Sequence, residues 1–198
     1  MTSSTPNSAI QSSPANNPKA KSYKLVFAGP VGAGKTTAIQ SLSDIEVVRT
    51  EARASDDVKK LKDNTTVAMD YGLMKLASGD QVRLYGAPGQ KRFDFMWEIL
   101  TENALGLILM IKGNAPDPVA DLRTYVEEFR DFIDQSTLVV GITHTDEAGG
   151  WQVRQNLARE LDKMGLPPVV MDADARNRSH MATLVQALIF GLDPMAGV

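Results

Sequence analysis

The sequence predicts an α/β domain with three layers, built on an open, mostly parallel sheet with one antiparallel hairpin strand. Short apolar runs alternate with segments of helical periodicity along most of the chain, which is typical of a parallel sheet covered by helices. One pair of runs is joined by the tight turn 78–80, Ser-Gly-Asp, which indicates a hairpin. A glycine-rich loop also separates the first run from the first helix, which indicates a tight turn between strand and helix.

The first half of the chain contains the hairpin. In order, it is predicted to form a strand at 25–28, a helix at about 36–43, a short strand or switch segment at 46–52, a charged surface loop at 53–65, and hairpin strands at 67–76 and 81–85. Residues 67, 69 and 71 share one face of their strand because side chains alternate in β structure. The hairpin therefore interrupts an otherwise regular alternation of strands and helices.

The second half returns to strict alternation. It is predicted to form a helix after residue 91, a strand at 105–111, a helix from Pro118 through Ile133, a strand at 137–142, a helix at about 151–164, a strand at 169–171 and a last helix around 181–189. The continuous apolar run 105–111 indicates a central strand buried on both faces. In the helix after residue 91, Phe93, Met96, Trp97 and Leu100 are predicted to face the core, while Phe95 and Ile99 lie on another face that would suit a partner.

Composition limits the function classes. The 198 residues include no cysteine, which excludes a disulfide framework and a cysteine metal site. The formal net charge of −3 argues against non-specific nucleic-acid binding. Residues 1–22 are rich in Ser, Pro, Asn and Ala and are predicted to be a disordered leader, with the domain at 23–198. We find neither a membrane-spanning run nor a lipidation signal, so we expect a cytoplasmic protein.

The glycine-rich loop carries the chemistry. Residues 29–36 match the phosphate-loop pattern G-x-x-x-x-G-K-[ST] without a break, and they consist of Gly29, Pro30, Val31, Gly32, Ala33, Gly34, Lys35 and Thr36. The glycines allow the backbone N–H groups to surround phosphate oxygens. Lys35 supplies a positive charge for the β- and γ-phosphates, and the Thr36 hydroxyl is suited to Mg²⁺. The pattern predicts a nucleoside-triphosphate site.

Two further loops follow predicted strands and are expected at the same edge of the sheet. They are the glycine-rich segment 86–90 and the polar turn 143–146. In open parallel sheets, ligands bind where the carboxyl ends of the strands meet. The sequence therefore predicts a single pocket to which all three loops contribute.

Four segments after the phosphate loop resemble those of Ras-like small GTPases, in the same order. They are T-V-A-M-D-Y at 66–71, G-A-P-G-Q at 86–90, T-H-T-D at 143–146 and D-A-R at 174–176. The second and third resemble most a bacterial branch that is related to the gliding-motility GTPase and is often linked to roadblock-type regulatory proteins. The resemblance covers roughly residues 23–191 and implies a Ras-like P-loop NTPase fold.

The resemblance also implies a role for individual residues. It implies GTP or GDP as ligand, with Mg²⁺ held by Thr36 and Thr66. The Gly89 N–H would contact the γ-phosphate, and Gln90 would orient the attacking water, so that Gln90 and Lys35 are the catalytic residues. The α-phosphate would be contacted by Thr37.

Guanine recognition is implied for the last two segments. The base would be read by Thr143, His144 and Asp146, and Ala175 and Arg176 would close over it. His144 is expected to pack on the base or to cap the turn rather than to act as an acid or base. His180 follows in the next helix and is expected to be a surface residue.

The chain departs from the family pattern at three positions. Gly86 stands where these GTPases usually have an aspartate that holds Mg²⁺ through water. Asp70 either compensates through a water, if its strand shifts register, or simply faces solvent. Thr143 replaces the usual asparagine and His144 the usual lysine, which leaves adenine selectivity open although Asp146 is present.

The expected function is a molecular switch that binds GTP with Mg²⁺ and hydrolyses it slowly, in bacterial signalling or cell polarity. Its partners would be proteins that read the nucleotide state, with roadblock-type regulators as the class implied. One alternative is a nucleotide-gated binding module with negligible hydrolysis. Another is a P-loop NTPase that prefers ATP. A P-loop kinase is disfavoured because the region 117–135, where an arginine-bearing lid would be expected, is acidic.

Overall fold

A computed structural model describes residues 20–52, 67–89, 95–145 and 150–192. Within these ranges the elements are β1 (Ser22–Ala28), α1 (Lys35–Leu42), β2 (Val48–Ala52), β3 (Val67–Lys75), β4 (Gln81–Gly86), α2 (Phe95–Thr101), β5 (Gly106–Lys112), α3 (Pro118–Glu128), α4 (Arg130–Ile133), β6 (Thr137–Thr143), α5 (Gly150–Lys163), β7 (Val170–Asp172) and α6 (Arg178–Leu192). The predicted leader lies outside the described residues up to residue 19. Its last residue, Ser22, is already part of β1.

All seven of these strands join one sheet in the order β2-β3-β4-β1-β5-β6-β7. β3 pairs antiparallel with both of its neighbours, and every other pair is parallel. A single strand therefore runs against the rest, which confirms the predicted fold class. Of the two alternatives for residues 46–52, the strand is the one observed, as β2 at the edge of the sheet.

Two hydrophobic cores lie on the two faces of the sheet. β5 contributes to both: Leu107, Leu109 and Ile111 join the core under α2, α3 and α5, whereas Ile108 and Met110 join the core under α1 and α6. Both sets are fully buried. The continuous apolar run is thus explained by helices on each side of a central strand.

The described part of the helix after the second glycine-rich loop is oriented as the sequence predicts, whereas Phe93 and the side chain of Phe95 lie outside the described part of the chain. Met96, Trp97 and Leu100 are buried, whereas Ile99 is 49% exposed. The Trp97 ring stacks on Phe129, with centroids 4.7 Å apart and an interplanar angle of 21°. Aromatic packing therefore fixes α2 against α3.

The helix predicted from Pro118 through Ile133 is instead two helices. Asp117 caps α3 by accepting a hydrogen bond of 2.9 Å from the Ala120 N–H, and Pro118 occupies the first turn. Phe129 separates α3 from α4 and is buried, so the apolar stripe continues although the helix does not. None of the helices in the described part of the chain combines the length and hydrophobicity needed to span a bilayer.

Candidate functional site

The phosphate-loop residues connect β1 to α1, and three glycines shape the turn. Gly29, Gly32 and Gly34 have φ angles of 135°, 78° and 92°, which favour glycine. A Cβ on Gly29 would lie 2.1 Å from the Met110 carbonyl oxygen, and one on Gly34 would lie 3.0 Å from the Ala175 Cβ. Side chains are therefore excluded where the backbone passes closest to β5 and to the segment 174–176.

The start of α1 is free to face a ligand. Its N-cap, Gly34, provides no side-chain hydrogen bond to the first turn. Helix N–H groups that lack a capping acceptor, together with the helix dipole, favour an anion at this end. The local geometry is therefore suited to phosphate.

Lys35 is folded back onto the loop that contains it. Its ammonium group donates hydrogen bonds to the carbonyls of Gly29 (2.7 Å) and Pro30 (2.8 Å). Burial lowers the pKa of Lys35 to about 8, and the nearby Asp70 carboxylate opposes that shift. The charge is thus held inside the loop, where it is poorly hydrated and available to an anionic ligand.

Asp70 faces this site rather than solvent. Its carboxylate accepts a hydrogen bond from the Thr36 hydroxyl, so the solvent-facing alternative is wrong. Asp70 on β3 lies directly opposite Gly86 on β4. A Cβ on Gly86 would lie 3.2 Å from the Asp70 Cβ and 3.0 Å from Ile39 Cδ1. The Asp70 side chain therefore occupies the volume into which a side chain at position 86 would project.

The donor set at this point suits magnesium. A hydroxyl and a carboxylate are hard oxygen ligands, as Mg²⁺ requires. Across the described ranges there is no group of three or more His, Cys, Asp or Glu side chains that could hold a metal. An ion at Thr36 and Asp70 would consequently need phosphate and water oxygens to complete its coordination, which is usual for Mg²⁺.

The second glycine-rich loop packs directly against the phosphate loop. A Cβ on Gly89 would lie 2.9 Å from the Gly29 carbonyl oxygen, the Val31 nitrogen and the Lys35 Nζ. Only glycine fits without displacing one of these groups. Gln90, which follows, lies outside the described residues, as does Thr66.

Two side chains, one from α2 and one from α3, donate hydrogen bonds to carbonyls of the same loop. The Tyr125 hydroxyl of α3 donates to the Gly89 carbonyl at 2.9 Å. The Trp97 indole N–H of α2 donates to the Pro88 carbonyl at 3.2 Å. The loop is thus fixed between the phosphate loop and the aromatic packing of α2 on α3.

An open pocket of about 550 Å³ runs from the phosphate loop to the start of α6. The predicted site residues that line it are Gly32, Gly34, Lys35, Thr36, Thr37, Thr143, His144, Ala175 and Arg176. Val31 is 63% exposed at the rim of the site, and Ala33 is buried beneath the loop. Asp146 lies outside the described residues.

Thr143 supports the phosphate loop from below. Its side chain is buried, and its hydroxyl donates to the Ala33 carbonyl at 3.1 Å. The Nδ1 of His144 lies 2.9 Å from the same hydroxyl oxygen, and His144 has a positive φ of 57°. Thr143 therefore connects the end of β6 to the phosphate loop.

The segment 174–176 is rigidified by an internal ion pair. The Asp174 carboxylate accepts hydrogen bonds from the Arg176 backbone N–H and from two nitrogens of its guanidinium, each at 2.9 Å. These bonds hold the pKa of Asp174 at about 2. The Arg176 side chain is 76% exposed at the pocket wall, where the planar face of its guanidinium is suited to stacking on a base.

Sequence reasoning missed the place of His180. This residue is exposed, as expected, but it lines the pocket, and its Nδ1 accepts a hydrogen bond of 3.2 Å from the Asp174 N–H. The Asn177 side chain accepts hydrogen bonds from the N–H groups of Ser179 (2.9 Å) and His180 (3.3 Å). An asparagine cap places the third helical residue beside the preceding loop, and this was the available signal.

The fold and the loop geometry define a P-loop nucleotide-binding α/β domain with the Ras-like arrangement of strands. No family model matches the chain. Among curated proteins it is similar to the intraflagellar transport protein 22 homologs of Rattus norvegicus and Mus musculus, each 23% identical over 146 residues, which is 72% of this chain and 76% of the relative. An uncharacterised protein of Methanocaldococcus jannaschii is 32% identical over 81 residues, which is 41% of this chain and 45% of that protein.

A solved structure supports the architecture. The crystal structure of the bacterial selenocysteine-specific elongation factor EF-Sec matches with a TM-score of 0.61 and 18% identity, over 88% of this chain. The chain spans 30% of the length of that factor. At this level of identity the likeness is one of fold.

Proposed function

We propose that this protein is a GTP-binding molecular switch that hydrolyses GTP slowly to GDP. The observation that carries the proposal is the contact between its two glycine-rich loops. The backbone of Gly89 lies so close to Lys35 and Gly29 that a side chain would collide with both. A terminal phosphate held by Lys35 would therefore meet the 86–90 loop directly, and its loss would change the position of that loop.

Different residues would bind the phosphates, orient the attacking water and hold Mg²⁺. Lys35 would hold the terminal phosphates, and Gln90 would orient the attacking water. Thr36 and Asp70, with Thr66 in the triphosphate state, would hold Mg²⁺ directly or through water. When bound, Mg²⁺ neutralises charge on the β- and γ-phosphate oxygens. Since no arginine is assigned to the terminal phosphate, we expect turnover on the order of 10⁻⁴–10⁻² s⁻¹ for the protein alone.

Hydrolysis is tested by single-turnover phosphate release with excess Mg²⁺. The Gln90→Leu variant should release phosphate at least about tenfold more slowly, since water is no longer oriented. Gln135→Leu, on the surface after α4, is the matched control and should behave like the parent protein. If the parent protein releases no phosphate, the hydrolysing switch is contradicted. The alternative, a nucleotide-gated binding module with negligible hydrolysis, then takes its place. Gly86, in place of an aspartate, favours that alternative.

Guanine selectivity is proposed on the basis of Asp146. A carboxylate there accepts two hydrogen bonds from guanine, whereas adenine leaves it unpaired at a cost of about 1–3 kcal/mol. The parent protein should bind GTP more tightly than ATP. Asp146→Asn should lose GTP affinity and gain affinity for xanthosine triphosphate, and Asp162→Asn on the exposed side of α5 should do neither. A parent protein that prefers ATP would establish the second alternative, an ATP-preferring P-loop NTPase.

The biological role proposed is bacterial signalling or cell polarity, on the resemblance of the loops to the bacterial branch of small GTPases. The partners would be proteins that read the nucleotide state, with roadblock-type regulators as the first class to test. A purified regulator should bind the form loaded with a non-hydrolysable GTP analogue more tightly than the GDP form, by about 1–3 kcal/mol. Equal affinity of the regulator for both forms would contradict the proposal that the protein acts as a switch.

A further inference from the structure

The helix α1 ends without a cation of its own. Its last turn contains no basic residue, although the carbonyls at a helix C-terminus favour a positive charge. The charge comes instead from Arg178, the first residue of α6. The Arg178 guanidinium donates hydrogen bonds to the Ser41 carbonyl (3.3 Å) and to the Asp44 carboxylate (2.8 Å). Arg178 therefore joins the start of α6 to the end of α1.

Asp44 is a fixed anchor for this contact. Its backbone N–H donates to the Leu73 carbonyl at 2.7 Å, and its carboxylate accepts a hydrogen bond of 2.7 Å from the Lys75 N–H. The hydrogen bond from Lys75 and the neighbouring Arg178 lower the pKa of Asp44, so the carboxylate stays charged. Because Asp44 is already held on β3, it loses little further side-chain entropy when Arg178 pairs with it.

The stretch from Asp174 to Arg178 runs alongside α1. Within it, the Asn177 N–H donates to the Asp174 carbonyl at 2.9 Å, which closes a turn just before α6 begins. At the other end of α1, a Cβ on Gly34 would lie 3.0 Å from the Ala175 Cβ. The stretch therefore contacts the start of α1, where the pocket lies, and also the end of α1, beyond the pocket.

We propose that Arg178 is a positioning residue that slows release of the nucleotide, although neither Arg178 nor Asp44 lines the pocket. Their ion pair holds the stretch 174–178 against α1 and so keeps the pocket wall at 174–176 closed over the nucleoside. The two side chains are 49% and 31% exposed, so the pair can open without unfolding the core. The inference rests on the proposed function in that a nucleotide must occupy the pocket.

Release of a fluorescent GDP from the full-length protein, chased with unlabelled GDP and Mg²⁺, tests the proposal. Arg178→Met should release the nucleotide about two- to fivefold faster than the parent protein, as expected for the loss of one partly exposed ion pair. Arg178→Lys keeps the cation and should restore part of the slow release. Arg159→Met, which removes an exposed arginine of α5 on the other face of the sheet, is the matched control and should behave like the parent.

The partner of Arg178 provides a second variant. Asp44→Asn should also speed release, because it removes the charge while keeping an acceptor for the Lys75 N–H. Since both residues act through one contact, the double variant with Arg178→Met should release the nucleotide no faster than the faster single variant. Effects that multiply in the double variant would contradict a shared role.

Hydrogen exchange of the nucleotide-free protein separates positioning from a general loss of stability. In Arg178→Met, exchange should accelerate at residues 174–177 and remain unchanged in the phosphate loop and in α5. Equal acceleration in α5 would show that Arg178 serves the fold as a whole, and the proposal would be wrong. Unchanged release from a parent protein that retains GDP would overturn this role alone, whereas a parent that retains no GDP would overturn the proposed function as well.

Discussion

The Tyr125 hydroxyl donates a hydrogen bond of 2.9 Å to the Gly89 carbonyl, which joins α3 directly to the loop that faces the phosphate loop. Burial raises the pKa of Tyr125 to about 12, so the hydroxyl remains a donor at any physiological pH. The position of the 86–89 backbone is therefore coupled to a helix of the core.

We expect Tyr125→Phe to loosen this loop without unfolding the protein. A single lost hydrogen bond costs about 0.5–1.5 kcal/mol. Hydrogen exchange should accelerate at residues 86–89 and remain unchanged in α6. Tyr23→Phe on β1 is the control, because the Tyr23 hydroxyl makes no hydrogen bond to another described residue. Unaltered exchange at residues 86–89 in Tyr125→Phe would contradict the coupling.

Lys35 should make the stability of the nucleotide-free protein depend on pH. Its folded-state pKa of about 8 lies below the ordinary lysine value of 10.5. Between these values the unfolded chain binds more protons than the folded one, so stability rises as pH increases from about 8. The full gain is about 3 kcal/mol at most. Thermal unfolding of the parent and of Lys35→Met between pH 7.5 and about 9.5 measures it. Parallel curves for the two proteins would contradict the prediction.

The relationship between Asp70 and Gly86 can be tested by exchanging them. Gly86→Asp should destabilise the fold by about 1–3 kcal/mol, because its side chain would compete with Asp70 for one space. Asp70→Gly should weaken the dependence of nucleotide retention on Mg²⁺. The double variant should recover both properties in part. The Mg²⁺ dependence of nucleotide retention is measured as the release of a fluorescent nucleotide with and without a chelator. A double variant that is no better than the worse single one would disprove the exchange.

His180 should slow nucleotide release by holding the 174–176 segment closed. His180→Ala leaves the Asp174 N–H without its acceptor, a loss of about 0.5–1.5 kcal/mol. Release of a fluorescent nucleotide should become about two- to tenfold faster. His180→Gln keeps an acceptor and should restore part of the effect, whereas Ser179→Ala, one residue earlier, should have none. Equal release from His180→Ala and the parent would leave His180 without this role.

The strands of the sheet could be predicted because the sequence signal for each one lies within a short stretch of the chain. The continuous apolar run of β5 and the hairpin turn at 78–80 both indicate their structures without reference to the rest of the chain. The break between α3 and α4 was not predictable, since the apolar stripe through Phe129 has the same period on both sides of it. Helical periodicity reports which face is buried and does not report whether the backbone hydrogen bonds continue.

The site was predictable in its motifs and less so in its long-range contacts. Because Met69 and Tyr71 lie on one face of their strand, Asp70 must lie on the other. Whether that other face is exposed to solvent depends on the packing of α1, which the local sequence does not show. His180 is likewise fixed by a contact with a loop that precedes its helix. The roles of Gln90, Thr66 and Asp146 stay predictions, because these residues lie outside the described ranges.

The neighbouring positions of Asp70 and Gly86 restrict how this architecture can diverge. A chain with the carboxylate on β3 can reach one with the carboxylate on β4 only through a variant that carries both acidic side chains or neither. The first intermediate crowds two charges into one space, and the second has none beside Thr36. A single substitution therefore does not convert one arrangement into the other. A sequence search that requires an aspartate before the A-P-G segment would overlook this chain.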